Sequence, residues 1–444
     1  MSEQEQAWQA KLRRLGVVKG ARHLKPAPPP PPAHRSPPTD YRPPITDHRS
    51  PTTDYRSPIT DTPQPIEKLL PGMRLEETAE GACYILDKVY PLAYRHGADR
   101  LADLLAFGAD TAVPLTGDER FADLDFRSFL FLDTETTGLA GAGTIAFMVG
   151  AAFFEGDALV VRQFFLRDHG DEAAMLLLLD DLLAERDGLV TFNGRTFDVP
   201  LLDGRFLMNR LPCDIGQRPH LDLLPPSRRL WRARLGSVAL GALEPALLGV
   251  RRTQEDVPGW MIPGLYHHYL RSGDGRELAR VFYHNQIDML SMVTLAARIL
   301  RQFHQPDGAD HPIDLYSLGK WQADLGLAEA AERHLRLAAQ GDLPLELFHK
   351  NLYRLGWLLK RQKRRAEAVP IWQQIAATSF ADVGAHVELA KFYEWHERDI
   401  PQAILWTERA LALTADEMVR AELAHRLARL QRKTEPRISA DSGD

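Results

Sequence analysis

Apolar runs bounded by turn residues dominate the middle of the chain. FLFL (129–132) predicts a buried strand. TIAFMVGAAFF (144–154) and ALVVRQFFL (158–166) predict two more, and the short EGD joint between them implies antiparallel pairing. DEAAMLLLLDDLLAER (171–186) predicts a helix, with acids early and arginine late. LVTFN (189–193) follows as a strand, VPLLDGRFLMNR (199–210) as a helix and HLDLL (220–224) as a strand. A helix carrying YHNQID (283–288) closes the unit. Three antiparallel strands, then helix, strand, helix and strand, predict an α/β domain over 126–305 with a mixed sheet covered by helices. Ahead of it, CYILDKVYPL (83–92) patterns as a strand and ADRLADLLAFG (98–108) as a short helix stopped by glycine. Residues 65–125 are therefore expected to be a lead-in packed on that domain.

After Pro312 the period changes to helical. LYSLGKWQADLGLAEAAERHLRLAA (315–339) is echoed at 352–377 and more weakly at 387–413. Gly319, Gly356 and Ala390 recur at 37 and 34 residues, and Ala331 and Ala368 each follow their glycine by twelve. The third copy slips by one, to Ala403. This resembles the tetratricopeptide pattern of paired helices, so 312–432 is expected to be an all-α repeat domain offering a concave surface to a protein partner. Residues 433–444 are expected to be a disordered tail.

The N-terminal 64 residues lack such periodicity. Four proline-rich heptads, HRSPPTD, YRPPITD, HRSPTTD and YRSPITD, occupy 34–61. So much proline excludes ladders and helices, and a disordered spacer is expected, with a repeated docking motif as the sharper alternative. Charges interrupt every long apolar run and no signal-peptide core opens the chain, which together predict a soluble cytoplasmic protein with no membrane role. Cys83 and Cys213 are too few for a zinc knuckle or disulfide framework. The net charge of −6 argues against a generic polyanion binder. Locally the balance inverts: 195–252 holds ten arginines, no lysine and five acids. Arg228, Arg229, Arg232 and Arg234 cluster around Trp231, where arginines suit phosphates and an aromatic suits a base. KRQKRR (360–365) is expected to be a solvated basic turn.

The candidate chemistry lies in acids at strand ends. Asp133 and Glu135 in FLFLDTETTGLAG are two apart, so they share one face of the first predicted strand. Two ionised carboxylates about 4 Å apart repel by roughly 4 kcal/mol at an effective dielectric near 20, unless a proton or cation lies between them. Glycines 138, 141 and 143 free the backbone after the strand for close approach of a substrate. Asp198 in TFNGRTFDVPLL starts a helix, a place where an aspartate is also an ordinary first-turn residue. Asp288 sits on the closing helix.

In that order the set resembles the DEDD superfamily of exonucleases, with DTETTG its most specific element. HLDLL, SRRLW, LGALE, LLGVRR and DVPGWMIPGLYHHYL extend the resemblance to the YprB-type branch over about residues 65–430. The resemblance implies a ribonuclease H-like fold and two divalent ions, Mg²⁺ or Mn²⁺, held by Asp133, Glu135, Asp198 and Asp288. It implies hydrolysis of DNA or RNA from the 3′ end. Substrate contacts are expected from Thr136, Thr137, Gly138, Asn193, Arg195, Phe197, Arg228 and Arg229. One branch of the superfamily serves the attacking water with a tyrosine four residues before the last aspartate, the other with a histidine five before it. Here the two are exchanged: His284 lies at minus four and Tyr283 at minus five. On a continuous helix the minus-four residue shares the face of Asp288, which favours His284. If Asn285 instead caps a fresh helix, both candidates fall in the preceding turn. A scaffold that binds nucleic acid without cutting it is the alternative from another class, and a structure-specific endonuclease is a third. Asp222 is expected to orient neighbours rather than to bind metal.

Overall fold

A computed structural model describes residues 62–138, 143–253, 255–306, 310–379 and 381–434. The heptads, Gly141 and residues 435–444 lie outside the described residues. Besides a small two-stranded ladder at Arg95–His96 and Asp99–Arg100, the strands are β1 (Arg74–Thr78), β2 (Gly81–Pro91), β3 (Phe129–Thr136), β4 (Ala146–Glu155), β5 (Ala158–Phe165), β6 (Gly188–Thr191) and β7 (His220–Asp222). They form one seven-stranded sheet in the order β1-β2-β5-β4-β3-β6-β7. β1 through β5 pair antiparallel, while β3/β6 and β6/β7 are parallel. The mixed sheet is the one the strand and helix order predicts. The lead-in does more than pack on it: β1 and β2 are two strands of the same sheet, and the predicted short helix is a 3₁₀ turn at Leu101–Ala106.

The helices of this half are α1 (Glu172–Ala184), α2 (Asp198–Met208), α3 (Leu224–Leu235), α4 (Ile262–Ser272) and the long α5 (Ala279–His304). Strand alternation divides the apolar residues between two cores. Phe129 and Phe131 enter one with Trp231 and the C-terminal half of α5. Leu130 and Leu132 enter the other with α1, α2 and the start of α5. Carried two and four residues further, the Phe131 face presents Asp133 and Glu135.

Among the described residues, seven helices follow: α6 (Pro312–Asp324), α7 (Ala328–Gln340), α8 (Leu345–Arg361), α9 (Arg365–Thr378), α10 (Val383–Phe392), α11 (Ile400–Leu413) and α12 (Glu417–Thr434). The recurring small residues sit where paired helices touch. A Cβ on Gly319 would lie 2.9 Å from Leu335, and one on Gly356 would lie 2.6 Å from Trp372. Ala331, Ala368 and Ala403 are buried at the matching positions. The one-residue slip of the third copy has a structural cause, because a π-helical turn at Tyr393–Glu397 takes up the extra residue between Ala390 and Ala403. The repeats are not detached from the sheet: Leu318 and Trp321 of α6 share a core with Phe303 of α5.

Candidate active site

The acids converge where β3 ends. β3 stops pairing with β6 at Phe131↔Val190, which leaves the Thr134 amide beyond the ladder. Asp198, the first residue of α2, takes it up: its Oδ1 accepts from Thr134 N at 3.1 Å and from Thr134 Oγ1 at 2.5 Å. The β3/β4 register shifts between Glu135 and Thr136, a bulge of the kind that re-aims side chains at a strand end. Glu135 is 8% exposed and Asp198 3%. α5 runs unbroken past both cores and brings in Asp288 and His284. Ligand atoms of Glu135, His284 and Asp288 lie within 4.8 Å of one another, the one such cluster among the described residues.

Burial and mutual repulsion act together on these groups. Asp133 is held well above the usual carboxylate range by burial and by Asp198, Glu135 and Asp288. Burial pushes Glu135 up to about 7 and Asp198 up to about 6. Asp288 is raised by burial too, against the pull of His284 and Arg252. Oxygen donors crowded this way suit a hard divalent cation, so the residues present fit Mg²⁺ or Mn²⁺.

Asn285 does not cap a fresh helix, since α5 begins at Ala279. It is wholly buried, and its Nδ2 donates to Asp133 Oδ2 at 3.1 Å. Its Oδ1 accepts from Gln163 Nε2 at 3.0 Å. Gly150, opposite Asp133 in β4, leaves room for it, because a Cβ there would lie 2.2 Å from Asn285 Oδ1. With the helix continuous, His284 and Tyr283 separate. His284 Nε2 lies 3.4 Å from Asp288 Oδ2, and Nδ1 lies 2.7 Å from Asp256 Oδ1 and 3.0 Å from Arg252 Nη1. Burial lowers the pKa of His284, but Asp288 and Glu135 outweigh it and hold the ring above its ordinary value. Tyr283 turns away, and its hydroxyl accepts from Thr253 N at 3.2 Å.

The remaining candidates divide between two places. Thr136 Oγ1 donates to Gly138 O at 2.7 Å, and Thr137 Oγ1 accepts from Ile145 N at 3.1 Å, which closes the loop after β3. Asn193 takes a left-handed φ of 72° in the turn after β6. Asp222 orients that turn: its carboxylate accepts from Asn193 N at 2.8 Å, Arg195 N at 3.2 Å and Leu224 N at 3.0 Å. Phe197 is half-buried just before Asp198. Arg228 and Arg229 stand apart from the acids, exposed on the outer face of α3. Trp231 is 1% exposed and packs in the core, so it offers no face to a base. Arg234 is taken by Asp314 at 2.8 Å.

Arg252 is a member of the site that sequence reasoning passed over. Its guanidinium pairs with Asp288 and binds Glu244 through two 2.7 Å contacts. Glu244, 1% exposed, also accepts from Ser291 Oγ at 2.7 Å. LGALE and LLGVRR carried these residues as parts of a likeness, but no local pattern reveals that Arg252, held by Glu244, meets Asp288 36 residues further on.

A family model of the ribonuclease H superfamily (RNase_H_2) matches residues 130–300, a span that contains all four acids. The uncharacterized protein YprB of Bacillus subtilis (strain 168) is 32% identical over 375 residues, covering 79% of this chain and 86% of that protein. The chain belongs to the YprB family. Its mixed sheet and the helices around it form a ribonuclease H-like fold, a fold of the nuclease type, and a helical C-terminal region follows. The family B DNA polymerase from the hyperthermophilic archaeon Pyrobaculum calidifontis is a looser likeness. It is 15% identical with a TM-score of 0.31, covers 51% of this chain, and is itself spanned over only 29% of its length, so it fixes no residue correspondence. No described helix is long and apolar enough to cross a membrane.

Proposed function

We propose that this YprB-family chain is a divalent-metal-dependent exonuclease acting on DNA or RNA, 3′ to 5′, in the cytoplasm. The observation that carries the proposal is the convergence of Asp133, Glu135, Asp198 and Asp288, each held above the usual carboxylate range at one end of the sheet. Those four residues would hold two Mg²⁺ or Mn²⁺ ions, which when bound activate a water and stabilise the leaving oxygen of a phosphodiester.

The chain's own residues orient and move protons. Asn285 and Thr134 fix the Asp133 and Asp198 carboxylates by hydrogen bonds. His284 would take the proton of the attacking water, a reading supported by its Nε2 lying 3.4 Å from Asp288 Oδ2. The acids that raise its pKa, Asp288 and Glu135, are ones a bound cation would neutralise, which would lower the His284 pKa toward the range a general base needs. The loop carrying Thr136, Thr137 and Gly138 and the turn carrying Asn193, Arg195 and Phe197 flank the acids and suit the substrate strand. The tetratricopeptide-like helical pairs supply a surface for a protein partner.

Purified chain incubated with labelled single- and double-stranded DNA and RNA plus Mg²⁺ or Mn²⁺ tests this. Cleavage that Asp133→Ala abolishes is expected, and circular substrates should stay intact. Cleaved circles would turn the assignment to an endonuclease. One observation favours a non-cleaving scaffold instead: Arg252 already neutralises Asp288. No turnover, with nucleic-acid binding unchanged on removing Asp133 and Asp198 together, would decide for that reading.

A further inference from the structure

We infer that the seam between the sheet domain and its first helical pairs is a binding groove for single-stranded nucleic acid, separate from the acidic centre. α3 and α6 enclose a cleft of about 710 Å³ lined by Arg228, Arg229, Arg232 and Lys320. A second cleft of about 340 Å³ continues along α6 and α8 and adds Arg354, Trp357 and Arg361. Asp324 lines both clefts and is the one acid in either, against six cations. That acid is bound by Arg354 at 2.8 Å. In a chain of net charge −6 this is a marked local inversion.

Five of the six cations of the groove, all but Arg354, have no acid to answer among the described residues. Among the described residues, Arg228, Arg232, Lys320 and Arg361 form no ion pair, and all four are exposed. Elsewhere in the repeats cations of both kinds occur: Arg364 is held by Glu332 and Glu367 and Lys360 by Glu388, while Lys363 and Arg365, among the described residues, form no ion pair, so it is the gathering of unpaired cations along one groove that marks this face. Unpaired guanidiniums along a groove are suited to bidentate contacts with successive phosphates. Trp357 is 44% exposed, with Lys360 Nζ 4.3 Å from its ring centroid, so a base would stack on the exposed part of the ring beside that cation, a feature an acidic peptide would not need. Arg229 is steadied by the ring of Trp321, 5.2 Å away.

The groove also leads toward the acids. Asp222 caps the amide that starts α3 and holds the turn of Asn193 and Arg195, so the helix carrying the arginines springs from the loop that flanks the acidic centre. Arg228 lies about one turn into that helix. The groove assignment rests on the nucleic-acid reading of the site, yet its test needs no cleavage.

Binding of fluorescent oligo-dT and oligo-rU of about 20 nucleotides to the full chain in EDTA is measured against salt, along with oligomers of about six nucleotides. Replacing Arg228, Arg229, Arg232 and Lys320 together by alanine is expected to weaken binding at least 30-fold and to lower the salt slope by roughly 0.7 for each phosphate no longer neutralised. Arg354→Glu with Arg361→Glu should weaken the long oligomer and spare the short one. The four side chains of the quadruple variant are exposed, so an unchanged melting curve separates weakened binding from unfolding. Unchanged affinity and slope in that variant would overturn the groove. Polyglutamate competing as well as oligo-dT would also overturn it and make this face a protein-docking surface. Failure of the proposed activity looks different: no Asp133-dependent cleavage, with arginine-dependent binding intact.

Discussion

Two regions of this molecule bury acids, and they do so in opposite ways. In the helical region, burial raises Glu394 and Glu388, but cations reverse the effect. Arg426, Arg429 and Lys433 surround Glu394, and Lys360 and Lys391 hold Glu388, so both end below the ordinary range. At the end of β3, Arg252 and His284 answer only Asp288 and Glu135 of the four acids, and all four are raised. The same residue types therefore support the fold in one place and strain it in the other. Such a partly compensated cluster is one that a bound cation would relieve.

Removing one acid from each region should break the symmetry most visibly. Glu394→Ala leaves three cations without their partner and is expected to cost about 3 kcal/mol in chemical denaturation. Asp133→Asn keeps the hydrogen bond from Asn285 and removes a repelling charge, so without divalent ions at pH 8 it should raise the melting temperature. If both variants move stability the same way, the contrast between the regions is wrong.

The next effect lies within the site. His284→Ala should lower turnover by about 100-fold or more, the usual contribution of a positioned general base. Tyr283→Phe should change it little, since its hydroxyl faces the Thr253 amide. Equal, full activity in both would remove the proton-transfer assignment.

Smaller again is a change one layer behind the acids. Gly150→Ala should push Asn285 from its place and loosen Asp133. The expected result is a roughly 10- to 100-fold loss of metal affinity, measured by calorimetry, as for other groups that orient a ligand. Unchanged affinity would show that Asn285 does not position Asp133.

Much of this is legible in the sequence, and the exceptions have physical causes. Strand alternation and helical spacing are local properties, so the mixed sheet, the helical pairs and the order of the four acids can be read directly. The π-turn at Tyr393–Glu397 is visible as a one-residue slip, though not as a turn. Asn285 passes for a helix cap because its partner Asp133 is 152 residues away. Arg252 is one of ten arginines in its stretch, and only the fold shows that it meets Asp288. Trp231 sits among arginines in the sequence, but helical periodicity turns it into the core.

The last contrast is in pH, and its sign follows from the raised carboxyls. Glu135 titrates at about 7 in the folded chain against an ordinary 4.5. Between those values the folded state keeps a proton that the unfolded chain has released, so stability falls as pH rises and the loss is complete above about 7. Glu388 and Glu394 are lowered, so their contribution is lost only as pH falls below the ordinary carboxylate range, outside this window. Buried His96, His220 and His334, each lowered to about 4, act within it and oppose the trend, because charging them as pH falls below about 6.5 costs stability. Comparing the chain with Glu135→Gln in EDTA cancels these three histidines; His284, which Glu135 helps to raise, shifts with the substitution and belongs to the Glu135 effect. Wild-type stability minus variant stability should fall from pH 5 to pH 7 by about 2 kcal/mol. Saturating Mg²⁺ should flatten or invert that difference, since binding needs the ionised carboxylate. A difference that stays level in EDTA would mean that Glu135 is already compensated, and the two regions would then bury their acids alike.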